Sequence, residues 1–142
     1  ARSFRIDWLH DQLGFDRLAA KQVIESVQNR RSNGMFLVRR SSTHQNNYAL
    51  TLFYEHDYFN FEIVGLANTT FYIDDGPYFD SLEHLIDHYC RIPDGLPTTL
   101  TFSVNRLMEV VPSRIQPLTI QCKQQKRKGN VIVYTFIPNF YI

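Results

Sequence analysis

The feature that most constrains this sequence is a run of four apolar residues, Met35-Phe36-Leu37-Val38, that passes directly into Arg39-Arg40 and then Ser41-Ser42-Thr43-His44. Ser32-Asn33-Gly34 breaks the chain just before it, and a continuous apolar run bounded by turn residues is the mark of a strand covered on both faces. Such a strand is central, so the fold must place a layer on each side of it. Side chains alternate across a strand, which puts Phe36, Val38 and Arg40 on one face and Leu37, Arg39 and Ser41 on the other. One arginine therefore points towards a face covered by an apolar helix. An unpaired guanidinium there is unfavourable by several kcal/mol, so Arg39 requires an anion. The partner is either an acid of the chain, such as Glu62, or a group from outside.

The rest of the chain supplies the layers. Asp16 to Val27 spaces Leu18 or Ala19, Val23 and Val27 on one stripe with Ala20 and Ile24 beside it, an amphipathic helix capped by Asp16. Tyr48 to Tyr54 and Tyr58 to Val64 read as a hairpin turning at Glu55-His56-Asp57, and Phe71-Tyr72-Ile73 as a third short strand before the Asp74-Asp75-Gly76-Pro77 break. Ser81 to Cys90 carries Leu82, Leu85, Ile86 and Tyr89 at helical spacing, with Ser81 as cap. Leu100 to Val104 closes as one more strand. The expected fold is α+β, a central antiparallel sheet flanked by two helices. With 142 residues there is room for one such domain, placed at residues 1–104. Residues 105–142 read as a linker punctuated by Pro112 and Pro117, then a C-terminal β-hairpin extension, Leu118 to Cys122 with Val131 to Ile137, turning near Gly129-Asn130.

Composition excludes several functions. Fifteen Lys+Arg against fourteen Asp+Glu leave a charge of +1, which provides no global field for nucleic acid or an acidic membrane. Anion binding must then be local. Two cysteines do not make a disulfide scaffold, and no membrane span is evident, so a reduced, cytoplasmic protein is expected. The Asn68-Thr69-Thr70 sequon is accordingly read as accidental. There is no glycine-rich phosphate loop and no Cys-x-x-Cys pair. His84 and His88 lie four apart without a third ligand, and Cys90 reads as a buried structural thiol. No catalytic residue, metal or cofactor is expected.

The loop after Arg39 is dense in hydroxyl and amide donors, and with Arg17 converging from the first helix it suits a dianionic phosphate. Gly34-Met35-Phe36-Leu37-Val38-Arg39 followed by Ser41-Ser42 resembles the signature strand of Src homology 2 (SH2) domains, the phosphotyrosine readers. The resemblance runs from Trp8 to about Val104. Trp8 and His10 match the opening Trp-x-His, Arg17 and Ala20 the first helix, Tyr48-Ala49-Leu50 the third strand, and Phe79-Asp80-Ser81-Leu82 through Tyr89 the second helix. Asp94-Gly95-Leu96-Pro97 is similar to the closing loop of the tandem-SH2 tyrosine kinases Syk and Shark.

The resemblance implies non-catalytic binding of tyrosine-phosphorylated proteins or peptides for signalling recruitment. Arg39 would hold the phosphate, Arg17 would be a second cationic donor, and Ser41, Ser42 and Thr43 would donate hydrogen bonds. Asn60 stands where the family usually has His, and Glu62 where a basic residue often lies, so an acid at the pocket rim would repel phosphate or pair with Arg17. Arg40 would sit on the far face. A second, mostly apolar cleft lined by Phe61, Ile73, Tyr89 and Leu96 implies an apolar residue about three places after the phosphotyrosine, with Asp74, Asp75 and Gly76 opening the loop that gates it. The alternative is an interaction module whose basic tail, Lys123, Lys126, Arg127 and Lys128, docks on a protein or anionic membrane. Tyr134 and Tyr141 in the same tail receive no role.

Overall fold

A computed structural model of the chain describes residues 6–27, 32–67 and 69–113, together with the backbone alone of 122–128 and 131–136. The central strand is where the apolar run placed it. Phe36–Arg40 (β2) pairs antiparallel with Tyr48–Tyr54 (β3), which pairs with Asp57–Leu66 (β4), which pairs with Thr70–Tyr72 (β5). The β3–β4 turn has two residues, Glu55 and His56, both at positive φ, the backbone that keeps a two-residue hairpin in step with strand twist. Asn33 braces it by accepting the Glu55 backbone N–H at 2.9 Å.

The other edge of β2 is shared end to end by two short strands. Leu9–His10 (β1) runs parallel to it beside Val38 and Arg39, and Phe102–Val104 (β6) runs parallel beside Phe36. Val110–Pro112 (β7) then pairs antiparallel with β6. The sheet therefore continues past residue 104 into the segment expected as a linker, and Pro112 ends a strand rather than punctuating a connection. At the edge of the sheet its missing N–H is tolerated.

Two helices cover opposite faces. Arg17–Glu25 (α1) starts at Asp16, whose carboxylate accepts the Ala19 N–H at 2.9 Å, and buries Ala20, Val23 and Ile24 against Met35, Leu37, Phe53 and Val104. Of the alternatives Leu18 and Ala19 for the start of the stripe, Leu18 is 61% exposed and Ala19 is half-buried. Leu82–Arg91 (α2) starts at Ser81, whose hydroxyl accepts the His84 N–H at 3.1 Å. Its Leu82, Leu85, Ile86 and Tyr89 pack on Phe36, Val38, Leu50, Leu52 and Ile63, each buried side chain worth about 1.5–3 kcal/mol. The tail hairpin differs from expectation. Cys122–Lys128 (β8) pairs with Val131–Phe136 (β9), so the basic stretch is itself a strand and not the turn. Leu118 to Ile120, Gly129, Asn130, Ile137, Tyr141 and Asn68 lie outside the described residues.

Candidate functional site

Strand alternation sends Leu37 and Arg39 to the α1 face. Leu37 joins the core there, but Arg39 lies at the strand end, where the apolar helix gives way to its N-terminus. Arg39 is only 4% exposed. Its Nε donates to Thr51 Oγ1 at 3.2 Å and its Nη2 to Asn60 Oδ1 at 3.2 Å, and Thr51 Oγ1 donates to the same Asn60 oxygen at 2.7 Å. These acceptors are neutral, and among the described residues no carboxylate lies within 4.0 Å of the guanidinium. Burial, and after it the positive charge of Arg17, pull Arg39 below the ordinary arginine value, with Asp16 and Glu62 opposing. A buried cation held by neutral oxygens is left with donors to spare.

Those donors border a cavity of about 510 Å³ lined by Asp16, Arg17, Leu18, Arg39, Ser41, Ser42, Thr43, Ala49, Asn60, Phe61 and Glu62. Arg17, Arg39, Ser41, Ser42 and Thr43, the residues expected to contact phosphate, thus surround one space together with Asn60. Arg17 is exposed and makes no ion pair or hydrogen bond among the described residues.

One alternative for the rim is corrected. Glu62 pairs with neither arginine: its Oε2 accepts from Asn47 Nδ2 at 2.9 Å and meets His44 Nδ1 at 3.3 Å. Asn47 in turn accepts the Gly65 N–H at 3.0 Å, so Glu62 fastens the loop after β2 to strand β4. Ser41 lines the cavity while its Oγ accepts the backbone N–H groups of Thr43 and His44 at 3.2 Å each. Those amides are therefore engaged within the loop, and Ser42 is the hydroxyl residue of the three that makes no hydrogen bond among the described residues.

Arg40 points to the other face and is exposed, its Nε donating to the Asp11 carbonyl at 3.3 Å and its guanidinium lying over the Tyr48 ring. Thr51 was not anticipated. Its signal was present in the sequence, a polar residue inside the apolar Tyr48 to Tyr54 run, on the face that alternation shares with Arg39.

A second cavity, of about 280 Å³, opens on the α2 side between Ile73, Asp74, Asp75, Gly76, Tyr89, Asp94, Gly95 and Leu96. Three of the four expected cleft residues line it. Phe61 does not: it packs with the α2-side core and borders the first cavity instead. Gly76 is required here, since a Cβ on it would lie 2.6 Å from the Tyr89 hydroxyl and 2.9 Å from the Ile73 carbonyl oxygen.

The remaining polar groups are accounted for singly. His84 meets Asp80, and His88 Nε2 meets Asp94 Oδ2 at 2.6 Å, so the two histidines engage separate acids. No metal-binding cluster occurs among the described residues. Cys90 is half-buried rather than buried, with Sγ 3.0 Å from Ser113 Oγ. No described helix is long and apolar enough to cross a membrane.

Comparison with known proteins agrees with this geometry. The family model for the SH2 domain matches residues 14–89. The chain is 44% identical over 97 residues to tyrosine-protein kinase HTK16 of Hydra vulgaris, covering 68% of this chain and 12% of that kinase. It is 33% identical to tyrosine-protein kinase Shark of Drosophila melanogaster, covering 73% of this chain and 13% of that kinase. Among solved structures, the SH2 domain of a CRK/CRKL homologue from Monosiga brevicollis shares the fold with a TM-score of 0.58 at 23% identity, over 75% of this chain and 92% of that one. The chain spans only a small part of the kinases it matches, and no kinase catalytic domain falls within the matched region. A signature strand ending in a buried arginine, together with a family match over more than half the chain, makes it a member of the SH2 domain family.

Proposed function

We propose that this chain binds tyrosine-phosphorylated peptides, with the phosphate entering the cavity over Arg39. SH2 domains are non-catalytic modules that generally bind phosphotyrosine peptides in signalling, and the finer assignment here rests on one observation. Arg39 is buried beside an open cavity, and among the described residues it is held by Thr51 and Asn60 with no carboxylate within 4.0 Å. A phosphate supplies that charge, and the planar guanidinium matches its oxygens two at a time. Arg17 adds a second positive charge from the helix N-terminus, and Ser42 brings a hydroxyl that makes no hydrogen bond among the described residues. The setting inferred is cytoplasmic, where the role would be to recruit the chain's host protein to phosphorylated partners.

The test is a titration of one peptide in phosphotyrosine, phosphoserine and unphosphorylated forms against the wild type and Arg39→Ala. Binding should require phosphotyrosine and weaken in the variant by about 2–5 kcal/mol, the loss on truncating one partner of a buried charged hydrogen-bond pair. Equal affinities for wild type and variant would refute the assignment.

A further inference from the structure

The second cavity combines two features that an aliphatic ligand would leave unsatisfied. Its walls, Ile73, Leu96 and the Tyr89 ring, are apolar, but its rim carries Asp74, Asp75 and Asp94. Asp94 shares one oxygen with His88, whereas Asp74 and Asp75 make no side-chain hydrogen bond or ion pair among the described residues. Independently of that rim, Tyr89 is only 1% exposed, and its hydroxyl has no hydrogen-bond partner among the described residues. Tyr89 lines the cavity, and its hydroxyl lies beside Gly76, another lining residue, 2.6 Å from where a Cβ on that glycine would stand. A buried hydroxyl without a partner is unfavourable and asks for one.

We propose that this cavity takes a basic side chain, lysine or arginine, of the bound phosphopeptide, in place of the apolar one that the family resemblance implies. The inference rests on the phosphopeptide reading above and specifies its second contact. The methylene stem of such a side chain packs along Ile73, Leu96 and the tyrosine ring, as long cationic side chains do on apolar surface. Its terminal N–H groups donate to the Tyr89 hydroxyl and to the rim carboxylates. After burial itself, the charges of Asp94 and Asp74 raise the Tyr89 hydroxyl above its ordinary value. Both carboxylates therefore act on that hydroxyl, which stays protonated and keeps its lone pairs as acceptors. A leucine would fill the same walls, leave the hydroxyl unpaired and strip water from the carboxylates without compensation. A glutamate would add a further like charge.

The experiment uses phosphotyrosine peptides that carry lysine, leucine or glutamate at each of the second, third and fourth places after the phosphotyrosine. They are titrated against the wild type, Tyr89→Phe and the double variant Asp74→Asn with Asp75→Asn. Asparagine tolerates the left-handed backbone at position 74, where φ is 48°. At one of the three places lysine should bind about fivefold tighter than leucine, with glutamate weakest, as expected for a partly screened charge pair. The lysine advantage should shrink in both variants and on raising salt from about 0.05 to 0.5 M. Leucine binding as tightly as lysine at every place, or an advantage unchanged in the asparagine variant, would overturn the inference while leaving the phosphotyrosine reading intact. Binding that ignores phosphorylation throughout would overturn both.

Discussion

Replacing Arg39 with methionine separates a residue kept for binding from one kept for stability. Methionine preserves the aliphatic stem and deletes the guanidinium. In the unliganded domain this removes hydrogen bonds to Thr51 and Asn60, each at 3.2 Å and each worth about 1.5–3 kcal/mol because the donor is charged. It also removes the several kcal/mol spent in burying a cation that has no counter-charge, and Thr51 and Asn60 keep their own 2.7 Å bond. The two effects are of similar size and opposite sign. The melting temperature should therefore stay within about 4 °C of the wild type, roughly 1 kcal/mol for a domain of this length. Ligand changes the comparison. A phosphotyrosine peptide at a hundred times its Kd stabilises the wild type by about 2.7 kcal/mol, or roughly 10 °C. A loss of 2–5 kcal/mol in binding raises Kd at least about thirtyfold, so the same peptide concentration stabilises the variant by less than about 1 kcal/mol. Differential scanning calorimetry with and without the peptide measures both quantities. A fall of about 12 °C or more in the unliganded variant would match breaking a buried ion pair. It would refute the reasoning, because it would mean that an acid of the chain already neutralises Arg39.

Other substitutions test the supporting framework. Glu62→Gln keeps an acceptor for Asn47 and removes a negative charge from the rim, so phosphopeptide binding should tighten by about two- to fivefold. Glu62→Ala also frees the loop, and should weaken binding and speed amide exchange at residues 42–47; calorimetry paired with hydrogen exchange distinguishes the two variants. Gly34→Ala should destabilise by at least about 2 kcal/mol in urea unfolding, since φ is 91° and the new Cβ would meet the Thr99 carbonyl oxygen at 2.5 Å. His10 is buried with Nε2 2.6 Å from the Val104 carbonyl oxygen, and burial, helped by Arg106, lowers its pKa below the ordinary 6.5. The unfolded chain then binds the proton more readily. His10 contributes stability that is fully present above pH 6.5 and is lost as pH falls below it. Urea midpoints between pH 7.5 and 5, in steps of about half a unit, should fall more steeply with acid in the wild type than in His10→Asn; parallel profiles would refute the assignment.

The sequence made the centre of this molecule legible and its edges obscure. Met35 to Val38 could only be a doubly covered strand, and alternation alone then placed Arg39 on the α1 face. Both helices were readable because cap and apolar period agreed at Asp16 and Ser81. The edge strands were not. Leu9–His10 and Val110–Pro112 are too short to carry a period, and Pro112 reads as a breaker unless its partner strand is known. Lys123 to Lys128 has the composition of a solvated turn, yet it forms a strand because Val131–Phe136 pairs with it. In the site, the residue types were visible and their commitments were not. Ser41 and Glu62 both line the cavity over Arg39, but their spacing did not reveal that Ser41 also accepts from the backbone of its own loop or that Glu62 meets Asn47 and His44. Phe61 shows the same limit, since its side of the sheet follows from alternation but the cavity it borders does not.

The shared edge of β2 also sets when this chain can fold. Strand β1 pairs with β2 from 29 positions upstream, while β6 arrives only with Ser103, and the His10–Val104 bond spans a separation of 94 residues. As the chain emerges from a ribosome, the helix α1 and the β2–β3–β4 meander are complete long before the segment that covers the remaining half of the central edge. Until then that edge offers unpaired backbone groups to any neighbouring strand. Contacts of such long separation are slow to close and expose intermediates to aggregation. The domain is therefore expected to reach its native state after β6 has emerged, in one late step that joins the two ends of the fold beside the strand that carries Arg39.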